Sequence, residues 1–226
     1  MAKVIIIGGH GKIALQAASL LAARGDQVTS IIRNPQHQDD VAATGATALV
    51  LDLEKASPQE LANAFNGADA IVWSAGAGGK GGTERTYAVD QDAAIAAMDA
   101  AAAAGVTRFL MVSWSGSYDP LAVPTDHPLY HYAVAKLAAD HHLVSTDLKW
   151  TILGPSTLTD EEPSGAITVG RLEPGSAKNT ARGNVARAIA EAVHQPATIH
   201  RVIPFVDGDT PIAAALTDVP AELAEI

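Results

Sequence analysis

The sequence predicts an α/β fold in which a doubly wound parallel sheet carries helices on both faces. Three observations predict it. Apolar runs of four to six residues alternate with alanine-rich helical stretches almost to the end of the chain, which is the pattern of βαβ units. The first apolar run, Val4-Ile-Ile-Ile7, breaks straight into Gly8-Gly9-His10-Gly11 and then opens a helical stretch. Composition is ordinary for a packed domain, with 226 residues, 48% hydrophobic and 18% charged.

Each element has its own reason. Residues 3–8 read as the first strand and 11–24 as the first helix, stopped by Gly25. Residues 27–32 form the second strand. Asn34-Pro35 then starts a helix, asparagine serving as cap and proline taking the first turn. Residues 47–51 form the third strand. Ser57-Pro58-Gln59-Glu60 is a capping box with proline at the first helical position. The fourth strand spans 69–73, followed by the glycine-rich loop Gly78–Gly82 and a long alanine-rich helix over 83–104. The fifth strand is 108–112, a helix covers 131–145, the sixth strand is 150–153, a helix covers 184–194, and a last strand spans 200–204. No repeat or linker interrupts the alternation, so one domain is expected over 1–226. Residues 155–180, polar and rich in Gly and Pro, are expected to form a small C-terminal substrate-side loop region, because such sheets bind ligands beyond the C-terminal ends of their strands.

The composition also excludes. A net charge of −10 disfavours nucleic acid and anionic membranes as partners. The absence of cysteine excludes disulfides and thiolate chemistry. The start is broken by glycine too early for a signal peptide, and no apolar run reaches membrane-spanning length. A cytoplasmic protein, monomer or homodimer, is expected. Of the histidines only His127, His131, His141 and His142 cluster, without a ligand pattern, so no metal site is expected. Asp160-Glu161-Glu162 reads as a solvated loop.

A strand that turns through glycines into a helix builds a phosphate cradle. The backbone can approach a pyrophosphate, and the helix offers unpaired N–H groups at its positive end. Gly8, Gly11 and Ala14 have the spacing G-x-x-G-x-x-A, and His10, Lys12 and Ile13 complete the loop. The second strand ends in Arg33, with no acid to receive ribose hydroxyls. A guanidinium there suits an adenosine 2′-phosphate, so NADP(H) is expected over NAD(H). Asp52 and Leu53, closing the third strand, suit the adenine edge or simply cap the next turn. Ser74, Ala75 and Gly76 are small enough for a nucleotide to cross the sheet edge there.

Tyr132 and Lys136 stand four residues apart on a helix, hence on one face. A nearby cation lowers a phenol's pKa, and tyrosine then acts as acid toward a carbonyl receiving hydride. Ser113 or Ser115, at the end of the fifth strand, would complete the site.

With these residues the chain resembles the atypical NAD(P)H-binding branch of the short-chain dehydrogenase/reductases, akin to NmrA-like and flavin/biliverdin-reductase-like proteins. The matching pieces are Gly8-x-x-Gly11-x-x-Ala14, Arg33-Asn34-Pro35, Asp52-Leu53, Ser74-Ala75-Gly76, the stretch from Arg108 to Ser113, Tyr132-x-x-x-Lys136, the stretch from Thr151 to Leu158 and that from Asn184 to Ile189. The resemblance implies a Rossmann-type sheet with the cofactor along its C-terminal edge and Pro155 and Ser156 beside the nicotinamide. It also implies reduction of a small carbonyl, quinone-like or flavin-like acceptor. Trp114 stands about where many relatives carry the catalytic serine, which keeps a non-catalytic redox sensor as an alternative. A sugar-nucleotide epimerase or dehydratase is a third, disfavoured by the short C-terminal half.

Overall fold

The computed structural model describes residues 1–78, 81–116, 123–171 and 178–224. The strands are β1 (Lys3–Ile7), β2 (Gln27–Ile32), β3 (Thr47–Val50), β4 (Ala70–Trp73), β5 (Arg108–Val112), β6 (Lys149–Pro155), β7 (Thr157–Thr159), β8 (Ala166–Val169), β9 (Asn179–Ala181), β10 (Arg201–Asp207) and β11 (Thr210–Pro211). The helices are α1 (Lys12–Ala23), α2 (Gln38–Ala42), α3 (Pro58–Phe65), α4 (Gly82–Thr86), α5 (Ala94–Ala103), α6 (Tyr130–Val144), α7 (Arg182–Ala192) and α8 (Ile212–Thr217).

Nine strands form one sheet in the order β11-β8-β10-β6-β5-β4-β1-β2-β3. From β3 to β10 every pairing is parallel, and β8 joins β10 antiparallel. Neighbours β1 and β4 are reached by connections that leave in opposite directions, so a crevice opens above their C-terminal ends. Both faces of the sheet are buried. Ile6, Val72, Leu110 and Leu153 pack with α1 and α7 residues such as Leu21 and Ile189. Ile7, Trp73, Phe109 and Met111 pack on the other face with α3, α5 and α6. Alternation along each strand thus divides one apolar run between two cores. The scarcity of aromatics is met by alanine, and Ala94, Ala97 and Ala101 bring α5 close to the sheet.

Most boundaries fall within two residues of the sequence expectation. The capping box forms, with Ser57 accepting from the Glu60 N–H at 3.3 Å and Glu60 accepting from the Ser57 N–H at 2.8 Å. Three differences stand out. The helix expected from Asn34 is a single 3-10 turn, Pro35–His37, followed by the short α2, because Gly45 at φ +85° soon turns the chain. The helix expected over 83–104 is interrupted, since Tyr87–Ala93 winds as a π-helix between α4 and α5. Residues 155–180 are not simply loop: they supply β8 to the sheet, and β7 pairs with β9 in a two-stranded sheet of its own.

Buried Asn184 organises that last region. Its amide donates to Asp207 at 2.7 Å and to Ser164 at 3.1 Å, and its carbonyl accepts from the Gly165 N–H at 2.9 Å. Residues 172–177, within the expected substrate loop, lie outside the described residues, as do Gly79 and Lys80 of the glycine-rich loop.

Candidate functional site

A cleft of about 390 Å³ opens at the C-terminal ends of β1–β4. It is lined by Gly8, His10, Gly11, Arg33, Asp52, Leu53, Ser74, Ala75 and Gly76, all sequence candidates, together with Asn34, His37, Glu54, Trp73, Arg85 and Val89 among others.

The glycines are required by contact. Gly8 holds φ +81°, and a Cβ there would lie 2.7 Å from the Ala75 Cα and 2.8 Å from the Ser74 oxygen. Gly9, absent from the spacing argument, is equally constrained: a Cβ would meet the Ser30 Cβ at 2.5 Å. Gly11 caps α1 without a side-chain hydrogen bond, and the first turn of α1 holds no acid. The helix therefore offers its N–H groups and positive dipole end to an anion above the glycines. His10 stacks on His37 at 3.5 Å between ring centroids and meets the Asp40 carboxylate at 2.8 Å. Lys12 reaches away to Asp160 at 2.5 Å, and Arg182 donates to the same carboxylate at 2.9 Å. That pair of cations holds the Asp160 carboxyl below its ordinary range, the Lys12 hydrogen bond contributing most. Asp160 is therefore a bridge between the start of α1 and the substrate-side region.

At the other rim, Arg33 donates to Glu54 at 2.8 Å and Arg85 approaches the same oxygen at 3.4 Å. Asp52 accepts from the Glu54 N–H at 3.2 Å, so it caps the turn and also faces the cleft.

Lys12, Ile13, Lys136, Pro155 and Ser156 do not line this cleft. Pro155 accepts from the Ser115 N–H at 3.0 Å, which ties the end of β6 to the chain leaving β5, and the Ser156 N–H donates to the Thr180 hydroxyl at 3.2 Å. Tyr132 and Lys136 sit beyond it on α6. The Lys136 ammonium is buried, donating to the Val112 carbonyl at 3.3 Å and lying 3.5 Å from Asp90. Asp90 in turn accepts from the Ala77 N–H at 3.1 Å, next to cleft residue Gly76. A short run of contacts therefore joins the cleft to the Tyr/Lys pair. The π-helical turn that carries Asp90 inward is a distortion often found at functional sites.

Burial opposes the charge of Lys136, but Tyr132, Asp90 and Asp140 outweigh it and hold the ammonium above its usual range. For Tyr132 the balance is the reverse of the sequence expectation. Burial raises the phenol, Lys136 pulls it down, and Asp90 and Asp140 push it up again, leaving it above 10.0. The lysine moderates the phenol rather than making it acidic.

Ser113 is buried, and its hydroxyl donates to Asp140 at 2.5 Å. Trp114 meets the Tyr132 ring edge-on at 6.1 Å. The strand ends at Val112, and the bend beyond it brings both Ser113 and Trp114 against α6. Sequence reasoning missed Asp90, Asp140, Glu54, Arg85 and His37. Asp140 had a signal, since it follows Tyr132 and Lys136 at successive four-residue steps on one helix face. The others face the site only through the fold. The clustered histidines disperse: His131 bonds Tyr87 and His142 bonds Asp99.

Residues 8–196 match a family model described as NAD(P)H-binding. The chain belongs to that family. It is an NAD(P)-binding Rossmann-type protein of the atypical short-chain dehydrogenase/reductase kind. YhfK of Bacillus subtilis, named as an uncharacterized sugar epimerase, is 36% identical over 95% of this chain and 98% of its own. A provisionally named NAD-dependent epimerase/dehydratase of Bacillus halodurans is 34% identical, covers 96% of this chain and 99% of its own, and superposes with a TM-score of 0.88. The oxidoreductase ylbE of Lactococcus lactis is 30% identical, covers 96% of each chain and has a TM-score of 0.84. No helix among the described residues is long and apolar enough to cross a membrane.

Proposed function

We propose that the chain is an NADPH-dependent reductase that delivers hydride to a small carbonyl, quinone-like or flavin-like acceptor. The observation that carries this reading is the placement of Tyr132 and buried Lys136 one turn apart, joined to the nucleotide cleft through Asp90.

The residues fit the cofactor's demands. Gly8, Gly9 and Gly11 with the uncapped start of α1 would hold the pyrophosphate. Asp52, Leu53, Ser74 and Ala75 would receive the adenosine, and Arg33 its 2′-phosphate. Lys136 would hold the nicotinamide ribose, with Pro155 and Ser156 at the far side. When bound, the nicotinamide supplies the hydride. Tyr132 supplies the proton to the acceptor oxygen, and its raised pKa keeps that proton in place through neutral pH. The Lys136 charge lowers the cost of leaving the phenolate behind. Ser113, committed to Asp140, positions α6 against β5 rather than the substrate. Trp114 beside Tyr132 presents an aromatic wall, which suits a planar acceptor.

Steady-state assays with NADPH against quinone, flavin and carbonyl acceptors test the reading. Turnover that disappears in Tyr132→Phe supports it. Turnover that survives the substitution removes Tyr132 from the chemistry. The occupied Ser113 hydroxyl favours a second reading, a redox sensor that binds NADP(H) without turnover. Tight NADPH binding with no turnover on any acceptor would select it. Epimerisation, an activity that the names of two relatives carry and that one of those names assigns to a sugar, is tested by the same preparation with bound NAD(P), nucleotide sugars as probes and no external acceptor.

A further inference from the structure

One turn of the chain serves both ends of the site. The π-helical turn Tyr87–Ala93 gives Val89 and Ala93 to the lining of the nucleotide cleft and brings Asp90 to Lys136. Asp90 is 1% exposed and Lys136 3%, so each charge depends on the other rather than on bulk water.

Each oxygen of Asp90 has its own task. Oδ2 accepts from the Ala77 N–H at 3.1 Å. Oδ1 faces the Lys136 ammonium at 3.5 Å and, among the described residues, accepts no hydrogen bond from any other group. Gly76 leaves it that room, since a Cβ there would lie 3.0 Å from Oδ1. Lys136 is held on two sides, by this carboxylate and by the Val112 carbonyl at 3.3 Å. An ammonium has three donors, so among the described residues one remains for a hydroxyl outside the pair. The same ammonium lies 6.0 Å from the centre of the Tyr132 ring. One cation thus serves a carboxylate and a phenol.

We propose that Asp90 is a positioning residue of the reductase site: it aims the Lys136 ammonium and divides that ammonium's charge between itself and the Tyr132 phenol, which sets the site for proton donation rather than proton abstraction. The inference rests on the reductase reading above and deepens it by separating the lysine's two duties. An acid must hold its proton until the acceptor oxygen takes it, and an ammonium beside the phenol with no carboxylate to answer it would favour the phenolate too early. The charged groups acting on Tyr132 and Lys136 are Asp90 from the π-helical turn and Asp140 from α6, and both push the phenol up. With Asp90 neutral, the phenolate becomes the anion that Lys136 favours. The site then turns toward proton abstraction, the step that oxidation of a sugar hydroxyl would need first.

Asp90→Asn keeps an oxygen for the Ala77 N–H and removes the charge. Ultraviolet titration of the full-length protein without nucleotide, taken as wild type minus Tyr132→Phe and as Asp90→Asn minus the double variant, reads the Tyr132 phenol alone. In Asp90→Asn the phenol is expected to hold its proton about tenfold less tightly. Calorimetry is expected to show NADPH and NADH bound severalfold more weakly, and 5′-AMP, which has no nicotinamide ribose, within twofold. With an acceptor that wild type reduces, the alkaline fall in kcat is expected to begin at lower pH. An unmoved phenol, a phenol that holds its proton more tightly, or equal weakening of all three nucleotides overturns the proposal. If Asp90→Asn binds none of the nucleotides, Asp90→Ser takes its place under the same criteria, and loss of all three there too overturns it. Turnover that survives in Tyr132→Phe would instead remove the reductase reading. An unmoved phenol in a protein whose turnover does depend on Tyr132 would overturn the role of Asp90 alone.

Discussion

The two ends of the site are built on opposite principles. The cleft over β1–β4 is open and lined by backbone, small residues and charges at its rim. The Tyr132/Lys136 end is closed in on itself, with Lys136, Asp90, Asp140 and Ser113 buried and bonded to one another or to backbone. An open cradle needs only the right local turn. A buried ammonium beside two carboxylates needs three elements packed in register, because an unpaired buried charge is costly. Binding and chemistry should therefore separate cleanly on mutation.

The largest effect expected is on the chemistry alone. Tyr132→Phe should lower acceptor reduction by about 10²–10⁴-fold while NADPH affinity, measured by fluorescence titration, stays within twofold. A parallel loss of affinity would mean that the two ends are one. Because the phenol's pKa lies above 10.0 and its protonated form donates, reduction should hold through pH 9 and fall only in stronger alkali. A fall near neutrality in the stopped-flow pH profile would contradict the assignment.

Next comes the cradle. Gly8→Val forces a β-branched residue to φ +81° against backbone atoms under 3 Å away. About 1–3 kcal/mol of strain, together with the obstructed turn, should cost more than tenfold in affinity for both nicotinamide cofactors. A variant that unfolds cooperatively, yet binds NADPH like wild type, would break the cradle account.

Ser113→Ala should matter less to rate than to stability. Its hydroxyl is spent on Asp140, so kcat should fall less than tenfold, while denaturant unfolding shows a loss of about 1–3 kcal/mol from the carboxylate left short of a partner. A hundredfold fall in kcat would return the serine to the chemistry.

The smallest effect lies far from both ends. Asp26 accepts from the Ala2 N–H at 2.8 Å and meets His194 at 2.7 Å. Burial pushes its carboxyl up, but those partners outweigh burial and leave it below 3.8. A depressed carboxylate stabilises the fold above its unfolded pKa, and that contribution fades as the pH falls through the folded value. Asp26→Asn should cost about 1–2 kcal/mol at pH 7, and the gap from wild type should narrow below pH 4. An unchanged gap would remove the ion pair from the account.

The same contrast explains what could be read from the chain. The cleft was legible because its parts are local: Gly8 and Gly11 sit in one turn, Arg33 ends one strand, and Asp52 and Ser74 end two more. The sheet was legible because each strand carries its own apolar run. Asp90 was hidden because a π-helical turn, not a sequence spacing, aims it at Lys136. Glu54 and Arg85 meet across 31 residues. Strands β7, β8, β9 and β11 have two to four residues each, too few for a period, and are held instead by pairing with neighbours and by the Asn184 network. The direction of the Tyr132 shift was misjudged because a helix spacing shows the lysine but neither the burial nor the two carboxylates.

The most direct test is calorimetric titration of wild-type protein and Arg33→Asp with NADPH and NADH. A wild-type preference for NADPH that narrows or inverts in the variant, with NADH binding retained, is the predicted result. The same ratio of dissociation constants in both proteins, or no binding of either cofactor to wild type, would contradict the account.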